Sequence, residues 1–399
     1  MASMEELIRE SQRYLMNTYA RFPVVIEKGE GVRVWDTEGK EYLDFVAGIA
    51  VNNLGHCHPK VVGAIKEQAE KLIHISNLYH IEPQIRLAKL LCQRSFAKKA
   101  FFCNSGAEAN EAAIKLARKY AKERWSSDRY EIITTYNSFH GRTLGSLAAT
   151  GQEKYQHGFE PLIPGFKYVP YNDLRAMERA VDAHTAAILV EPIQGEGGVY
   201  VPGDDYLPGI RRLCDEAGAL FILDEIQTGM GRTGKLFAYQ HWGASPDIMT
   251  LAKGLGGGLP IGAMLAREEV AEHFTPGSHG STFGGTPFVT AVAFAALSAL
   301  LEENLPERAV KMGGYLMAKL EELKGRYPFV KEIRGKGLLV AAELEADAKA
   351  LVRRCLEKGL LLNAVSDKAL RFMPPLIVTE ADVDRAITML DEVFQEMPK

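Results

Sequence analysis

The feature of the sequence that most constrains its fold is a series of short apolar runs, each followed at once by polar residues or glycines. Residues 220–223 are followed by Asp224, and residues 247–252 lead into Lys253 and a glycine-rich segment. Apolar runs without polar alternation are typical of strands buried on both faces of a parallel sheet. Helix-like segments such as residues 206–217 lie between such runs. This alternation predicts an α/β fold with a mostly parallel sheet flanked by helices.

The polar residues at the ends of these strands indicate a binding site, because ligands of open parallel sheets bind beyond the carboxyl ends of the strands. Asp224 and Lys253 would then face one bound molecule. The simpler interpretation is an ion pair between them, since a buried carboxylate without a partner is strongly unfavourable. The alternative is that Lys253 forms a Schiff base with pyridoxal phosphate while Asp224 keeps the ring nitrogen protonated, so that the ring can withdraw electrons.

Several longer motifs bear on this choice. Residues 223–264, LDEIQTGMGRTGKLFAYQHWGASPDIMTLAKGLGGGLPIGAM, resemble the cofactor segment of the class III pyridoxal-phosphate aminotransferases, which have fold type I. The resemblance covers almost the whole chain, from about Tyr19 to the C-terminal helix. Within that family, FFCNSGAEANEAAIKLARK, HGRTLGSLAATGQ, VEPIQGEGGV and STFGGTP are most similar to acetylornithine aminotransferases of arginine biosynthesis. Several motifs in the same order are more specific than any one of them.

A strand-to-helix turn at residues 104–106 is a candidate phosphate site. Residues 100–103 read as a strand, and the alanine-rich run 107–121 predicts a helix. The turn could be an ordinary N-cap. Alternatively, the backbone amides of Ser105, Gly106 and Ala107 could bind a phosphate with the help of the helix dipole. The residues alone do not separate these two interpretations, and the resemblance favours the phosphate.

The resemblance implies roles around the cofactor. Lys253 and Asp224 would be the catalytic residues, with Lys253 as general base and then general acid. Phe139 would stack on the pyridine ring, Ile226 would pack on its opposite face, and Gln227 would hydrogen-bond the phenolic oxygen. Thr282 would reach the phosphate of the other subunit, so that the active sites are shared within a homodimer. The implied cofactor-binding residues are Ser105, Gly106, Ala107, Phe139, Asp224, Glu225, Ile226, Gln227, Lys253 and Thr282.

The resemblance also implies how two different amines react in one pocket. Arg142, with Ser281 nearby, would bind the far carboxylate of either substrate, because a planar guanidinium suits bidentate contact with a carboxylate. Arg371 would bind the near carboxylate of glutamate. Glu196 would pair with Arg371 when an ω-amine is bound, since a buried arginine without a counter-ion is unfavourable. The implied reaction transfers the δ-amino group of N2-acetyl-L-ornithine to 2-oxoglutarate, giving N-acetyl-L-glutamate 5-semialdehyde and L-glutamate.

Other functions stay open at this point. Ile49 stands where ornithine aminotransferases carry a tyrosine, which disfavours free ornithine, but 4-aminobutyrate enzymes are also apolar there. Succinylornithine and succinyl-diaminopimelate are further possible substrates. An aminomutase of the same fold, or a non-catalytic homologue that binds a ligand for regulation, are alternatives from other classes. The presence of the lysine, the aspartate and both arginines argues against the non-catalytic homologue.

Composition and charge exclude several partners. The formal net charge is −4, with 47 basic and 51 acidic residues dispersed along the chain, so we expect neither a nucleic acid nor a membrane partner. The five cysteines lack the spacing of zinc or disulfide motifs. The N-terminus contains acidic residues and no apolar core, unlike a signal peptide. We therefore expect a cytoplasmic protein.

Two local motifs are rejected as sites. Residues 55–59, GHCHP, place two histidines and a thiol in one short turn, without the ligand spacing of known zinc sites, so no metal is expected. Residues 229–235, GMGRTGK, match nucleotide-binding patterns. However, Leu236 occupies the position where the triphosphate-binding version needs Ser or Thr, and the glycines do not directly follow the strand.

The order of predicted elements divides the chain into domains. We expect an N-terminal segment (1–58) that packs with the small domain, a large cofactor-binding domain (59–284) and a C-terminal small domain (285–399). The small domain would thus be discontinuous, with α+β composition. The sequence predicts helices over residues 4–16, 60–72, 107–121, 206–217, 289–303, 308–325, 347–358 and 380–396.

Overall fold

The computed structural model of the protein describes residues 2–397. Its N-terminal part is a helix followed by three antiparallel strands and a short turn. The turn is left-handed, since all four of its residues have a positive φ, between 50° and 63°. These elements are α1 (Met4–Tyr14), β1 (Ile26–Glu30), β2 (Arg33–Asp36), β3 (Glu41–Asp44) and α2 (Ala47–Ala50).

The centre of the molecule is a seven-stranded sheet. Its strands are β4 (Lys99–Cys103), β5 (Glu131–Thr135), β6 (Phe166–Val169), β7 (Thr185–Val190), β8 (Leu220–Asp224), β9 (Ile248–Leu251) and β10 (Gly262–Ala266). They lie in the order β4-β10-β9-β8-β7-β5-β6. β6, β5, β7, β8 and β9 pair in parallel, whereas β10 is antiparallel to both β4 and β9. The mostly parallel sheet that the sequence predicts is confirmed.

Helices cover both faces of this sheet, which explains the uninterrupted apolar runs. Along β8, Phe221 and Leu223 belong to one hydrophobic cluster, whereas Leu220 and Ile222 belong to a second cluster together with residues of the long helix that follows β4. Each side chain of the strand is therefore buried whichever face it points to. The helices of this part are α3 (Pro59–Lys71), α4 (Glu82–Arg94), α5 (Gly106–Arg124), α6 (Leu144–Ala149), α7 (Glu153–Gln156), α8 (Leu174–Ala180), α9 (Tyr206–Ala217) and α10 (Glu268–Ala271).

The C-terminal part is a smaller α+β unit. Its elements are α11 (Pro287–Glu302), α12 (Leu305–Arg326), β11 (Val330–Lys336), β12 (Leu339–Leu344), α13 (Ala348–Lys358), β13 (Leu360–Leu361), β14 (Asn363–Ser366), β15 (Ala369–Phe372) and α14 (Glu380–Gln395). β11, β12, β15 and β14 form an antiparallel sheet, while β13 pairs in parallel with β3. The small domain is thus discontinuous, as predicted. Over residues 2–397, no single helix has the length and apolar character to cross a membrane, and only α11 and α12 together, bent by 63°, meet those criteria.

Candidate active site

A cavity of about 490 Å³ lies beyond the carboxyl ends of the central strands. Segments that follow β4, β5, β7, β8 and β9 all contribute to its wall, as expected for ligand sites in parallel sheets. The lining residues from these segments are Asn104, Ser105, Gly106, Ala107, Phe139, His140, Gly141, Arg142, Glu191, Ile193, Glu196, Asp224, Ile226, Gln227, Thr228, Ala252 and Lys253.

Lys253 lines this cavity just beyond the end of β9. Its φ is 46°, a left-handed conformation that non-glycine residues seldom adopt and that concentrates at functional sites. Burial lowers the pKa of its amine, against the opposing effects of the Glu196 and Asp224 charges. Asp224 is paired with His140 rather than with Lys253. The ion pair between Lys253 and Asp224 that the sequence allowed is therefore absent from the part of the chain that the structure describes.

Asp224 lies at the end of β8 and is 3% exposed. Its Oδ2 accepts hydrogen bonds from Asn110 Nδ2 and from His140 Nδ1, each at 2.8 Å. Its Oδ1 accepts the N–H of Ile226 at 3.0 Å. His140 Nε2 in turn contacts Thr134 Oγ1 at 3.2 Å. These bonds fix the orientation of the carboxylate at the wall of the cavity.

The sequence interpretation missed Asn110, His140 and Glu191. Glu191 follows β7, is 5% exposed, and accepts the N–H groups of Phe139 and Gly195, each at 3.2 Å. Burial raises the pKa of Glu191 well above its ordinary value, and the Asp224 charge adds to this. The Glu191 carboxylate therefore links the loop after β5 to the loop after β7. The available signal was a carboxylate directly after a buried strand, the same signal that identified Asp224.

The predicted phosphate site lies at the N-terminus of α5. Ser105 caps the helix, because its Oγ accepts the N–H of Glu108 at 3.2 Å. The amides of Gly106 and Ala107 are in the first turn, where no intrahelical acceptor exists. A Cβ added to Gly106 would lie 2.7 Å from Ile226 Cδ1. Glycine therefore allows the start of the helix to approach Ile226 closely. The predicted phosphate site consequently lies beside the segment that follows Asp224.

Arg371, in β15, reaches the same region from the small domain and is fully buried. Its Nη1 donates to Glu196 Oε1 at 2.7 Å, and to Gly195 O and Gln227 Oε1 at 3.1 Å each. Burial raises the pKa of Glu196, but the charges of Arg371 and Lys253 outweigh burial and lower this pKa to about 2. Arg371 Nη2 has no hydrogen-bond partner among the described residues.

Arg142 and Phe139 lie on another side of the cavity. The guanidinium carbon of Arg142 is 3.9 Å from the centre of the Tyr155 ring and 5.6 Å from that of Phe139. Tyr155 and Phe139 meet edge to face, with their ring centres 5.7 Å apart. Cation–π contacts therefore hold the exposed Arg142 side chain beside the cavity, where it can meet an anionic group.

Ser281 and Thr282 lie outside this wall. Ser281 Oγ accepts a hydrogen bond from Asn104 Nδ2 at 3.1 Å. Ser281 therefore contacts a lining residue but does not line the cavity itself. Thr282 is exposed and does not line the cavity of its own chain. Its contact with a cofactor in another subunit stays a prediction.

Glu225 requires a correction. Although it directly follows Asp224, its carboxylate accepts the N–H groups of Ala238 and Tyr239, at 2.6 and 2.8 Å, and the hydroxyl of Thr228 at 3.2 Å. It is fully buried and does not line the cavity. Successive strand residues point to opposite sides, so the side chain next to Asp224 binds the following loop instead of the ligand.

Comparison with known proteins gives the family. The model of the family described as "Aminotransferase class-III" matches residues 14–394. The chain belongs to the class III aminotransferases. It is 57% identical to the acetylornithine aminotransferase of Caldanaerobacter subterraneus subsp. tengcongensis, over 98% of this chain and 100% of that protein.

Two solved structures of related aminotransferases have the same fold. The ornithine aminotransferase of Toxoplasma gondii has a TM-score of 0.96 and 39% identity, over 99% of this chain and 96% of that one. The acetylornithine aminotransferase of Elizabethkingia anophelis has a TM-score of 0.90 and 37% identity, over 100% of both chains. The fold type implied by the sequence resemblance is confirmed.

Class III aminotransferases use pyridoxal phosphate, and the residues around the cavity fit this cofactor. The amides of Gly106 and Ala107 provide donors for a phosphate. Asp224 provides an acceptor for a protonated ring nitrogen, and Lys253 provides the amine that an aldehyde requires. The cavity volume lies within the usual range of small-molecule sites.

Proposed function

We propose that this chain transfers the δ-amino group of N-acetylornithine to 2-oxoglutarate, forming N-acetylglutamate 5-semialdehyde and glutamate in arginine biosynthesis. The observation that carries the proposal is the pair of Arg371 Nη1 and Glu196 Oε1, 2.7 Å apart at the edge of the cavity. Such a pair suits a site that must accept an uncharged methylene chain and, in the next half-reaction, a carboxylate. The 57% identity to an acetylornithine aminotransferase supports the acylated substrate.

Proton transfer is the task of Lys253. Pyridoxal phosphate, when bound, supplies an aldehyde that takes up amino groups and a ring that withdraws electrons. The Lys253 amine removes a proton from the substrate carbon next to the nitrogen and returns it at the cofactor carbon. Burial lowers the pKa of this amine, which favours the neutral form that a base requires. Asp224, held by hydrogen bonds from Asn110 and His140, would accept the N–H of a protonated ring nitrogen.

The two substrates are distinguished by Glu196. With N-acetylornithine, the side chain near the reacting amine is apolar, and Glu196 remains paired with Arg371. With glutamate, Glu196 moves away, and Arg371 binds the carboxylate next to the reacting amine. Gln227, which bonds both members of the pair, holds them next to the cofactor. Arg142, with Ser281 near it, binds the carboxylate at the far end of either substrate.

Ornithine is a second candidate, because the compared Toxoplasma structure carries that name. By the sequence resemblance Ile49 argues against it, because ornithine aminotransferases carry a tyrosine at that position. In the structure Ile49 is 39% exposed and does not line the cavity of its own chain. The test is a steady-state comparison of kcat/KM for N-acetylornithine, ornithine, succinylornithine, succinyl-diaminopimelate and 4-aminobutyrate, with 2-oxoglutarate as acceptor. The proposal expects N-acetylornithine to exceed ornithine by at least about 100-fold, roughly the effect of one desolvated polar group. A higher value for ornithine would replace the proposed substrate.

We further propose a cytoplasmic homodimer, in which Thr282 completes the phosphate site of the other subunit. Large apolar side chains near Thr282 are exposed: Leu78 by 84%, and Tyr79 and Phe283 by 63% each. Asn77 Nδ2 bonds Gly284 O at 2.8 Å, so the two segments form one surface. Phe283→Asp should yield monomers in analytical ultracentrifugation, and a dimeric variant would contradict this interface. The domain boundaries we propose are residue 58 and residue 284.

A further inference from the structure

Asn110 is a buried polar residue in the interior of α5, and all its hydrogen-bonding groups are used. It has 0% exposure. Its Nδ2 donates to Asp224 Oδ2 at 2.8 Å and to the carbonyl of His140 at 2.7 Å. Its Oδ1 accepts the hydroxyl of Thr250 at 2.8 Å. With one oxygen and two amide hydrogens bound, the orientation of this side chain is fixed.

These contacts leave the two oxygens of Asp224 unequal. Oδ2 accepts from both Asn110 and His140, whereas Oδ1 accepts only the N–H of Ile226 among the residues that the structure describes. A carboxylate oxygen commonly accepts two hydrogen bonds. Oδ1 therefore retains one acceptor position, on a residue that lines the cavity.

The same helix, α5, also provides the predicted phosphate site. Gly106 begins α5, and Asn110 follows it by four positions, so both lie on one face of the helix. The helix thus connects the two ends of the cofactor site in one rigid element. A shift of α5 that moved the amides of Gly106 and Ala107 would also move the donor that holds Asp224.

We propose that Asn110 is a positioning residue for pyridoxal phosphate, which holds Asp224 Oδ1 towards the ring nitrogen while its own helix holds the phosphate. The need for such a donor is clear from the charges that face Asp224. Glu191 approaches from the end of β7 and Glu225 is adjacent in sequence, while Lys253 lines the same cavity and His140 is bonded to Asp224. Donors on Oδ2 hold the Asp224 carboxylate in place among these acids.

The test measures binding of two cofactors to the full-length apoprotein by absorbance titration. One is pyridoxal 5′-phosphate, and the other is its 1-deaza analogue, in which a C–H group replaces the ring nitrogen. Asn110→Ala should weaken binding of pyridoxal phosphate about tenfold, as expected for one lost hydrogen bond to a charged group. Binding of the analogue should change less than about twofold. Equal losses for both compounds, or no loss for either, would overturn the proposal.

Thr250 provides a second, milder pair of variants should Asn110→Ala fail to fold. Thr250→Val removes the hydroxyl that orients the Asn110 amide, whereas Thr250→Ser retains it. The valine variant should lose affinity for pyridoxal phosphate but not for the analogue, and the serine variant should match the wild type. If the valine and serine variants bound pyridoxal phosphate with equal affinity, the proposal would be overturned.

The inference depends on the family cofactor and not on the proposed amino donor. If wild-type protein binds pyridoxal phosphate but does not react with N-acetylornithine, the proposed function fails and the role of Asn110 can still be measured. If the binding titrations fail to distinguish the two cofactors while N-acetylornithine reacts, only the role of Asn110 fails.

Discussion

In the proposed function, the ion pair of Arg371 and Glu196 serves two substrates. The arginine is fully buried, and its Nη1 touches the glutamate carboxylate and the Gln227 amide oxygen. A buried arginine is costly without a counter-ion, so the pair persists whenever the substrate brings no carboxylate to this point. Glu196 must release Arg371 before Arg371 can bind the carboxylate of a glutamate substrate.

Removal of Glu196 should therefore affect only one half-reaction strongly. In Glu196→Ala, Arg371 lacks its counter-ion when N-acetylornithine binds, and the rate constant for that half-reaction should fall about 10- to 100-fold. The half-reaction with glutamate should change less than about threefold, because glutamate supplies its own carboxylate. Single-turnover absorbance measurements resolve the two. Glu345→Ala, which removes the acid of the exposed Lys331–Glu345 pair, is the matched control, and equal losses in both half-reactions of Glu196→Ala would refute this role.

At the residue scale, an apolar run that ends in a polar residue predicted Asp224, but no local pattern predicted the roles of Asn110 and Arg232, whose partners are distant in the sequence. Asp224 was predictable because an apolar run stops there. Asn110 contacts Asp224 across 114 positions, and Arg232 donates to Asn53 across 179. Arg232 also belongs to the rejected nucleotide-binding pattern, and its fully buried guanidinium in fact bonds carbonyls of the small domain. Such long-range hydrogen bonds leave no local pattern in the sequence.

Element boundaries follow local capping chemistry. The predicted helix 206–217 is confirmed as α9 (Tyr206–Ala217). The predicted helix 289–303 begins two residues earlier, at Pro287, because Thr286 caps it by accepting the N–H of Val289. Proline at the first helical position needs no donor partner. α5 continues to Arg124, beyond the predicted end at residue 121.

Adjacent glycines in α12 provide a test of element packing. A Cβ added to Gly313 would lie 2.0 Å from Gly337 O, in the turn between β11 and β12, whereas one added to Gly314 would meet nothing within 4 Å. Gly313→Ala should lower the free energy of unfolding by about 1–3 kcal/mol, because the backbone must shift. Gly314→Ala should be neutral or stabilising by up to about 1 kcal/mol, since alanine favours helix.

Urea unfolding of both variants measures this difference. The two substitutions are identical in chemistry and neighbouring in sequence, so intrinsic helix propensity cannot separate them. If Gly314→Ala were as destabilising as Gly313→Ala, the packing of α12 against the β11–β12 turn would be wrong.

At the scale of the whole molecule, strand pairing and ion pairs join the N-terminal part of the chain to the C-terminal part. β13 pairs with β3, Arg33 bonds Asp382 at 2.8 Å, and Arg385 bonds Glu41 at 2.7 Å. The sequence predicted this discontinuous small domain from the order of its elements. The order of strands in the central sheet could not follow from periodicity, because every buried strand carries the same apolar pattern.

Acid stability should depend on His241, a partly buried residue whose Nε2 lies 3.0 Å from the carbonyl oxygen of Thr233. Burial, together with Lys336 and Lys235, lowers its pKa to about 4. The unfolded chain takes up this proton near pH 6.5, so stability present above that pH is lost as the pH falls towards 4. Between pH 7 and pH 5, His241→Gln should lose about 1 kcal/mol less than the wild type in urea unfolding, because solvent screens part of the effect on a half-buried group. His184→Gln, at an exposed position, is the control. If the free energy of unfolding of His241→Gln fell with pH as steeply as that of the wild type, His241 would not be the source of this pH dependence.

We propose that Lys253 and its surroundings transfer an amino group from N-acetylornithine with the help of pyridoxal phosphate. The most direct test is a single half-reaction: the cofactor-loaded protein is mixed with N-acetylornithine, and the absorbance of the lysine-bound cofactor is followed, with Lys253→Ala as control. We expect rapid loss of this absorbance, recovery on addition of 2-oxoglutarate, slower loss with ornithine or 4-aminobutyrate, and no such change in the variant. Unchanged absorbance with N-acetylornithine, or the same response in Lys253→Ala, would contradict it.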